Sequence, residues 1–449
     1  MPIILPRRLR LFFGFIVGIL FFLVLAGAIS IPFYFESSTI LYKFGLNRQL
    51  LRAGQVMGMV AGCLLLLQII LSARLKFLDR IFGLSQLFKL HRLGGLIIAA
   101  VAIVHPILVF IPEDRLFIPL QWRYWPEFVG LFLLLLIFAA VITSFWRAQL
   151  KLSFHRWWPI HRWAAVLIVT AFWIHVLSVG ETFEQKLPKL LAFSAIGICG
   201  WVFLWTRSRV IRSKRKVFKV SAIEPVGQDA VRLRITSNTH QMPGHLPGQF
   251  GFITVFSPHI SKEEHPFSIA STPTKPAAYE FIVRTTGDWT ARLKNNIQPG
   301  DRVLLHGPFG LYSHLRLPPE REIIMIAGGI GITPFWCMLR YMADHRDQRK
   351  ITLIWSNRSR QHIIRSHEFQ NLADHLKGLR IVHVLTRNPD FMGETGRLDR
   401  SKLQRLLAGC STASAVFVCG PDQMMKEIRH ALVSLGFAKR MIYMERFYL

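Results

Sequence analysis

His91-Arg92-Leu93-Gly94-Gly95 with His105 downstream, and His161-Arg162-Trp163-Ala164-Ala165 with His175 downstream, are the segments that decide the fold. Each leading histidine has a second at the same distance, 105 − 91 = 14 and 175 − 161 = 14. On a helix that offset returns to nearly the same face and advances about 21 Å. Two helices marked in this way can present two pairs of imidazoles at two depths. Small residues stand three and four positions after His91 and His161, on the ligand face, where a flat macrocycle needs room. Each pair can ligate one haem iron from both faces, and Arg92 and Arg162 can neutralise haem propionates. Among 17 His, one such offset is easily accidental, whereas two matched pairs in apolar helices are not. Ionisable groups inside membrane spans are costly and usually functional. His155 competes with His161, but Val169 stands fourteen residues on, so it reads as a loop residue.

Six apolar stretches occupy the first half: roughly Leu11 to Phe35, Gln55 to Ser72, Leu93 to Ile111, Phe128 to Trp146, Trp163 to Gly180 and Leu190 to Thr206. Each can cross a hydrocarbon core of ~30 Å as a helix. One crossing separates the third and fifth, so these run parallel, and His91 meets His161 on one side while His105 meets His175 on the other. Arg74, Lys76, Arg80 and Lys89 fall in one connection and Arg147, Lys151 and Arg156 in another; the loop between carries Glu113 and Asp114. A positive-inside bias places the basic loops, and with them His91 and His161, on the cytosolic side. The block Arg207, Arg209, Arg212, Lys214, Arg215, Lys216 keeps all that follows on that side as well. Arg7, Arg8 and Arg10 precede the first stretch, and Ala26-Gly27-Ala28 resembles a cleavage site, but the run is too long for a signal peptide. The expectation is a multi-pass protein of a bacterial inner membrane or plasma membrane, with a cytosolic N-terminus and a cytosolic second half.

A formal charge of +29 invites a nucleic-acid reading, but the basic residues are dispersed and many flank apolar runs, which argues against it. Cys63, Cys199, Cys337, Cys410 and Cys419 form no C-x-x-C pair, so neither a disulfide framework nor a cysteine-held Fe–S cluster is indicated. A redox centre here must be organic or held by His.

From Val217 short β-type runs such as Val231 to Ile235 and Tyr279 to Arg284 alternate with Pro and Gly, which reads as a small antiparallel barrel. After Pro318-Pro319 strands and helices alternate, with Glu322 to Ala327, Ile351 to Ser356, Arg380 to Leu385 and Ala415 to Cys419 as strands. That pattern is a parallel sheet binding nucleotide at its strand C-termini. The domains are then residues 1–210, 211–318 and 319–449. Gly328-Gly329-Ile330-Gly331-Ile332-Thr333-Pro334 follows a strand and opens a helix, as a phosphate-binding turn must. The second strand ends Trp355-Ser356-Asn357-Arg358-Ser359-Arg360, with no acid for a free ribose 2′-hydroxyl. Ser356, Arg358 and Arg360 suit a 2′-phosphate, favouring NADPH over NADH.

His265-Pro266-Phe267-Ser268-Ile269-Ala270-Ser271, then Gly287-Asp288-Trp289-Thr290, then Gly307-Pro308-Phe309-Gly310, resemble the FAD-binding domain of the ferric reductase and NADPH oxidase superfamily. The likeness extends over nearly the whole chain, and its layout is similar to that of compact prokaryotic NADPH oxidases. It implies that His265 to Ser268 lie along the isoalloxazine ring, with Phe267 near the flavin and Ser268 close to its N5. Ser271 and Thr290 would hold the pyrophosphate. Phe417-Val418-Cys419-Gly420-Pro421 is similar to the segment that in such reductases lies beside the nicotinamide. The end of the chain, Met444-Glu445-Arg446-Phe447-Tyr448-Leu449, resembles members with a C-terminal aromatic over the flavin, which makes Phe447 a gate for hydride transfer.

The resemblance thus implies a six-span α-helical membrane bundle, an antiparallel β-barrel FAD domain and an α/β NAD(P) domain. Electrons would pass from NADPH through FAD and two haems b to dioxygen or a ferric chelate. No D-x-[DN]-x-[DN]-G calcium loop is present, and no obligatory protein partner is expected. A haem-free membrane-tethered flavin reductase and a non-catalytic scaffold are the alternatives. The paired histidines oppose the first, and the intact Gly328 to Thr333 turn opposes the second.

Overall fold

The computed structural model describes residues 4–36, 43–113, 117–179, 181–215, 217–237, 244–275, 277–364, 366–388 and 390–446. Asp114, Gly180, Lys216, Phe447, Tyr448 and Leu449, named above, lie outside them. The chain divides into two compact units, one made mostly of residues 8–209 and the other mostly of residues 210–449.

The first unit holds helices α1 (Arg7–Tyr34), α2 (Gly45–Ser72), α3 (Lys76–Phe82), α4 (Leu84–Phe110), α5 (Trp125–Phe145), α6 (Phe154–Val179) and α7 (Lys186–Arg215). Among the described residues all but the short α3 are long and apolar enough to cross a membrane. Their outward surfaces are apolar, as a lipid-facing helix requires. The packed interior comes from four of them: Leu65 of α2, Ile98 and Ala99 of α4, Leu133 and Ile137 of α5, and Ile168 and Ala171 of α6. The helices begin earlier than their apolar runs. Hydrogen bonding continues through the polar first turns of α4 and α6, which brings His91 and His161 inside them. His155, expected in a loop, is likewise helical, because α6 starts at Phe154.

In the second unit a curled antiparallel sheet comes first. It is built from β1 (Val217–Pro225), β2 (Ala230–Thr236), β3 (Phe250–Phe256), β4 (His265–Ser268), β5 (Tyr279–Arg284) and β6 (Arg302–Phe309), with α8 (Asp288–Asn296) before β6. The strand order is β4-β3-β6-β1-β2-β5. Among the described residues its edges meet at the Ile269–Phe281 bridge and the Ala270 N–H bond to Glu280 O, which makes it a curled half-barrel. Inward-facing Phe218, Leu233, Ile253, Phe281 and Val303 fill its core.

The remaining elements are β7 (Ile323–Gly328), α9 (Thr333–Asp344), β8 (Ile351–Asn357), α10 (Ser366–His375), β9 (Leu379–Leu385), β10 (Glu394–Thr395), α11 (Arg400–Leu406), β11 (Ala415–Cys419), α12 (Asp422–Ser434) and β12 (Ile442–Glu445). The parallel order is β10-β9-β8-β7-β11-β12. Every residue of β7, β8 and β11 is buried, as expected of strands with helices on both faces. The chain proceeds from β7 outward to β10 and returns on the other side of β7 to β11. The switch point therefore lies between β7 and β11, where parallel sheets bind ligands at their C-terminal ends.

Candidate functional site

Helices α4 and α6 bring the four histidines together in the expected pairs. The ring centres of His91 and His161 are 6.3 Å apart and those of His105 and His175 are 6.4 Å apart. The ring planes are nearly perpendicular, at 81° and 86°. With a metal–imidazole bond of about 2.0 Å on each side, an iron bound end-on holds two ring centres roughly 6 Å apart. The spacing therefore fits one atom between each pair. No three His, Cys, Asp or Glu among the described residues cluster as a metal site. Two imidazoles suffice where a macrocycle supplies the other four ligands.

At the second pair, His105 Nδ1 lies 2.7 Å from Gly54 O and His175 Nδ1 lies 3.0 Å from Pro126 O. A carbonyl can only accept, so each Nδ1 carries the proton and each Nε2 keeps a free lone pair, the arrangement a ligating imidazole needs. The sequence reading missed the supporting residues. Gly54, Gly58 and Gly62 recur every four residues on one face of α2. A methyl group on Gly58 would stand 3.1 Å from His105 Cε1, and one on Gly54 would stand 2.8 Å from Val109 Cγ2. That period was the available signal.

At the first pair His91 Nδ1 is buried facing the main chain of Gln68, in poorer geometry than the two bonds of the second pair, and His161 Nδ1 has Ser144 Oγ at 3.5 Å. Gln68 of α2 lies against Gly94, and both atoms of its amide are buried without partners. Orphaned polar groups of this kind are costly and call for an absent partner. Arg92 covers the Phe145 ring at 4.5 Å, and Arg162 is exposed.

In the second unit β4 pairs with β3 in the register Phe250–Ser268, Gly251–Phe267, Phe252–Pro266 and Ile253–His265. His265 lies against Trp289, with ring centres 4.1 Å apart and planes tilted by 32°, and meets Glu263 at 3.1 Å. Burial lowers its pKa, partly offset by that carboxylate. The hydroxyls of Ser268 and Ser271 are buried without partners, so the strand expected along the flavin offers two unused polar groups to a ligand. Thr290 differs: its hydroxyl accepts from Gly287 N at 3.1 Å and caps α8. The Ser271 carbonyl accepts from His245 Nε2 and from Cys337 Sγ, each at 2.9 Å. This joins the curled sheet to α9, as does the ion pair of Glu280 with Arg340 at 2.7 Å.

The turn Gly328–Thr333 and the segment Cys419–Pro421 meet at the switch point. Cys419 pairs with Ala327 of β7 on one side and Glu445 of β12 on the other. A methyl on Gly331 would stand 2.9 Å from Gly420 N, and one on Gly328 would stand 2.8 Å from Pro421 Cδ. Trp355 Nε1 donates to Gly329 O at 3.0 Å and Thr333 Oγ1 to Ile330 O at 2.8 Å, fixing the turn, while Pro334 stands in the first turn of α9. Burial pushes the Cys419 thiol well up, so it stays protonated. Ser356 is buried at the end of β8, and Arg358 and Arg360 beyond it are exposed. Glu445 and Tyr312, whose buried hydroxyl lacks a partner, were not foreseen beside Cys419. Nor was Arg284, held by Asp229 at 2.6 Å with its guanidinium against Gly329.

Three families match successive parts of the chain: "Ferric reductase like transmembrane component" over residues 57–172, "FAD-binding domain" over residues 213–326 and "Oxidoreductase NAD-binding domain" over residues 325–430. The chain is 29% identical over 203 residues to sulfhydrogenase 1 subunit gamma of Pyrococcus furiosus, covering 44% of this chain and 66% of that one. It is 27% identical over 178 residues to the glycine betaine monooxygenase reductase subunit of Chromohalobacter salexigens, covering 38% and 48%. The chain thus spans less than two thirds of these relatives. The flavohemoglobin of Malassezia yamatoensis, solved with bound FAD and heme, is alike in fold alone, at 19% identity and TM-score 0.50, over 90% of this chain and 98% of that one.

Proposed function

Because this chain has the layout of the ferric reductase and NADPH oxidase superfamily, a ferric-reductase-like transmembrane component followed by FAD- and NAD-binding oxidoreductase domains, we propose that it moves electrons from cytosolic NADPH across a membrane, with FAD and two haems b as its resident groups. The observation that carries the reading is the pair of gaps, 6.3 and 6.4 Å between ring centres, at two levels of one helix pair. His91 and His161 hold the inner iron, and His105 and His175 the outer. FAD supplies the conversion of a two-electron hydride into single electrons, which haem iron takes one at a time.

The protein's own residues do the rest. Ser268 and Ser271 offer hydroxyls to the flavin from a strand fixed by His245 and Cys337. The Gly328–Gly331 turn lets backbone N–H groups approach the diphosphate of NADPH, and Arg284 adds a cation there. Ser356, Arg358 and Arg360 bind the 2′-phosphate. Cys419, Glu445 and Tyr312, all buried, would line the nicotinamide position.

Two histidines would hold each haem, and the external acceptor would then take its electron without binding the metal. Dioxygen is the acceptor we favour: NADPH + 2 O2 gives NADP+ + 2 superoxide + H+. The match to a ferric reductase component supports a ferric chelate as the second acceptor. The test is anaerobic addition of NADPH to the purified, FAD-supplemented full-length protein. Haem reduction followed by superoxide release on admitting air supports the reading, and ferric reduction without superoxide selects the second acceptor. Haem that stays oxidised while NADPH is consumed overturns it.

A further inference from the structure

His161 is held differently from the outer ligands. Its Nδ1 faces only Ser144 Oγ at 3.5 Å, and that hydroxyl already donates to Ala140 O at 2.5 Å. What packs on its ring is aromatic. Trp157, one turn earlier on α6, stacks on His161 with ring centres 4.8 Å apart and planes at 26°. Trp158 follows at 6.4 Å and 21°. Phe154 extends the stack to Trp158 at 6.0 Å and 13°, and the Arg147 guanidinium caps it, 5.4 Å from the Phe154 ring and 5.9 Å from that of Trp157. The spacing 154, 157/158, 161 is that of side chains meeting along one helix face. Trp157 Nε1 is buried without a partner, so no N–H bond accounts for where the indole sits.

We propose that Trp157 is the positioning residue of the inner site, fixing the plane of the His161 imidazole by stacking where the outer ligands use a main-chain carbonyl. A metal-bound imidazole is free to turn about its metal–nitrogen axis unless something outside the bond holds it, and its orientation tunes the metal. For His105 and His175 that hold is Nδ1–H to carbonyl; for His161 it is the indole face. The inference rests on the two-haem reading of the membrane unit.

The experiment uses full-length, haem-loaded protein and reads the low-spin EPR signal and midpoint potential of each haem, the inner one identified as that which survives His105→Leu. Trp157→Phe keeps a ring on His161 and is expected to leave the inner signal in place. Trp157→Leu removes the ring, and its inner signal broadens and its inner potential shifts while the outer signal does not move. Trp157→Met, flexible and without a ring, gives the same result should the Leu variant fold poorly. An inner signal and potential unchanged in both ringless variants overturns the proposal. So does a Phe variant as disturbed as the Leu variant, since the indole N–H would then be what matters. A wild-type protein with no low-spin b-type signal would instead remove the two-haem reading itself.

Discussion

Gly130 of α5 and His175 of α6 share one volume: a methyl group on Gly130 would stand 2.6 Å from His175 Cε1. Real Cβ contacts are not that short, so any side chain at residue 130 must push the imidazole away from its bond to Pro126 O. Gly130→Ala should therefore lose the outer haem and keep the inner, leaving roughly half of the haem content, because a ligand displaced by about 1 Å no longer reaches the metal. Haem per chain and the reduced spectrum check this. Full haem content in the variant would show that His175 does not need that space.

Gly331 makes the matching case in the nucleotide domain. A methyl there meets the Cys419 main chain and stands 2.9 Å from Gly420 N, two backbone groups that cannot swing aside. Gly331→Ala should open the junction of β7 and β11, raising KM for NADPH by about tenfold or more with bound flavin retained. Steady-state kinetics beside flavin fluorescence separate the two effects.

The choice of nucleotide is tested at the end of β8. A charge-assisted bond to phosphate contributes about 1.5–3 kcal/mol, or roughly ten- to a hundredfold in affinity. Arg358→Ala with Arg360→Ala should raise KM for NADPH by that order and leave NADH unaffected. Equal losses for both nucleotides would place the 2′-phosphate elsewhere.

Acid should loosen the flavin domain, and His245 sets the window. Burial pushes its imidazole down to about 4 from an ordinary 6.5, against the opposing pull of the Ser271 carbonyl. Above pH 6.5 the group is neutral in both folded and unfolded chains. As pH falls from 6.5 to 4 only the unfolded chain takes the proton, so stability drops by up to ~3 kcal/mol. Below 4 this contribution is fully lost. His314, pushed down to about 3 chiefly by burial, adds a loss of the same sign. The temperature of flavin release in full-length protein should fall across this window, and His245→Gln should flatten the fall. A variant as acid-sensitive as the wild type would assign the loss to other groups.

What could be read from the sequence was what repeats along one element. The fourteen-residue offsets put four imidazoles on two helix faces before any packing was known, and the alternation of β7 to β11 with helices located the Gly328 turn. What escaped depends on contacts between elements. Gln68 and Gly54 belong to α2, far in sequence from the histidines they approach. Glu445 lies beside Cys419 only because β12 pairs with β11, and Arg284 reaches Gly329 only because the curled sheet packs against the nucleotide domain. Thr290 adds a role its motif did not announce: its hydroxyl caps its own helix.

The most direct measurement is the dithionite-reduced-minus-oxidised spectrum of the purified full-length protein, with haem counted per chain, in the wild type and in His91→Leu and His105→Leu. The account predicts two low-spin b-type haems in the wild type and a different one remaining in each variant. A wild type without haem, or variants that both retain two, would contradict it.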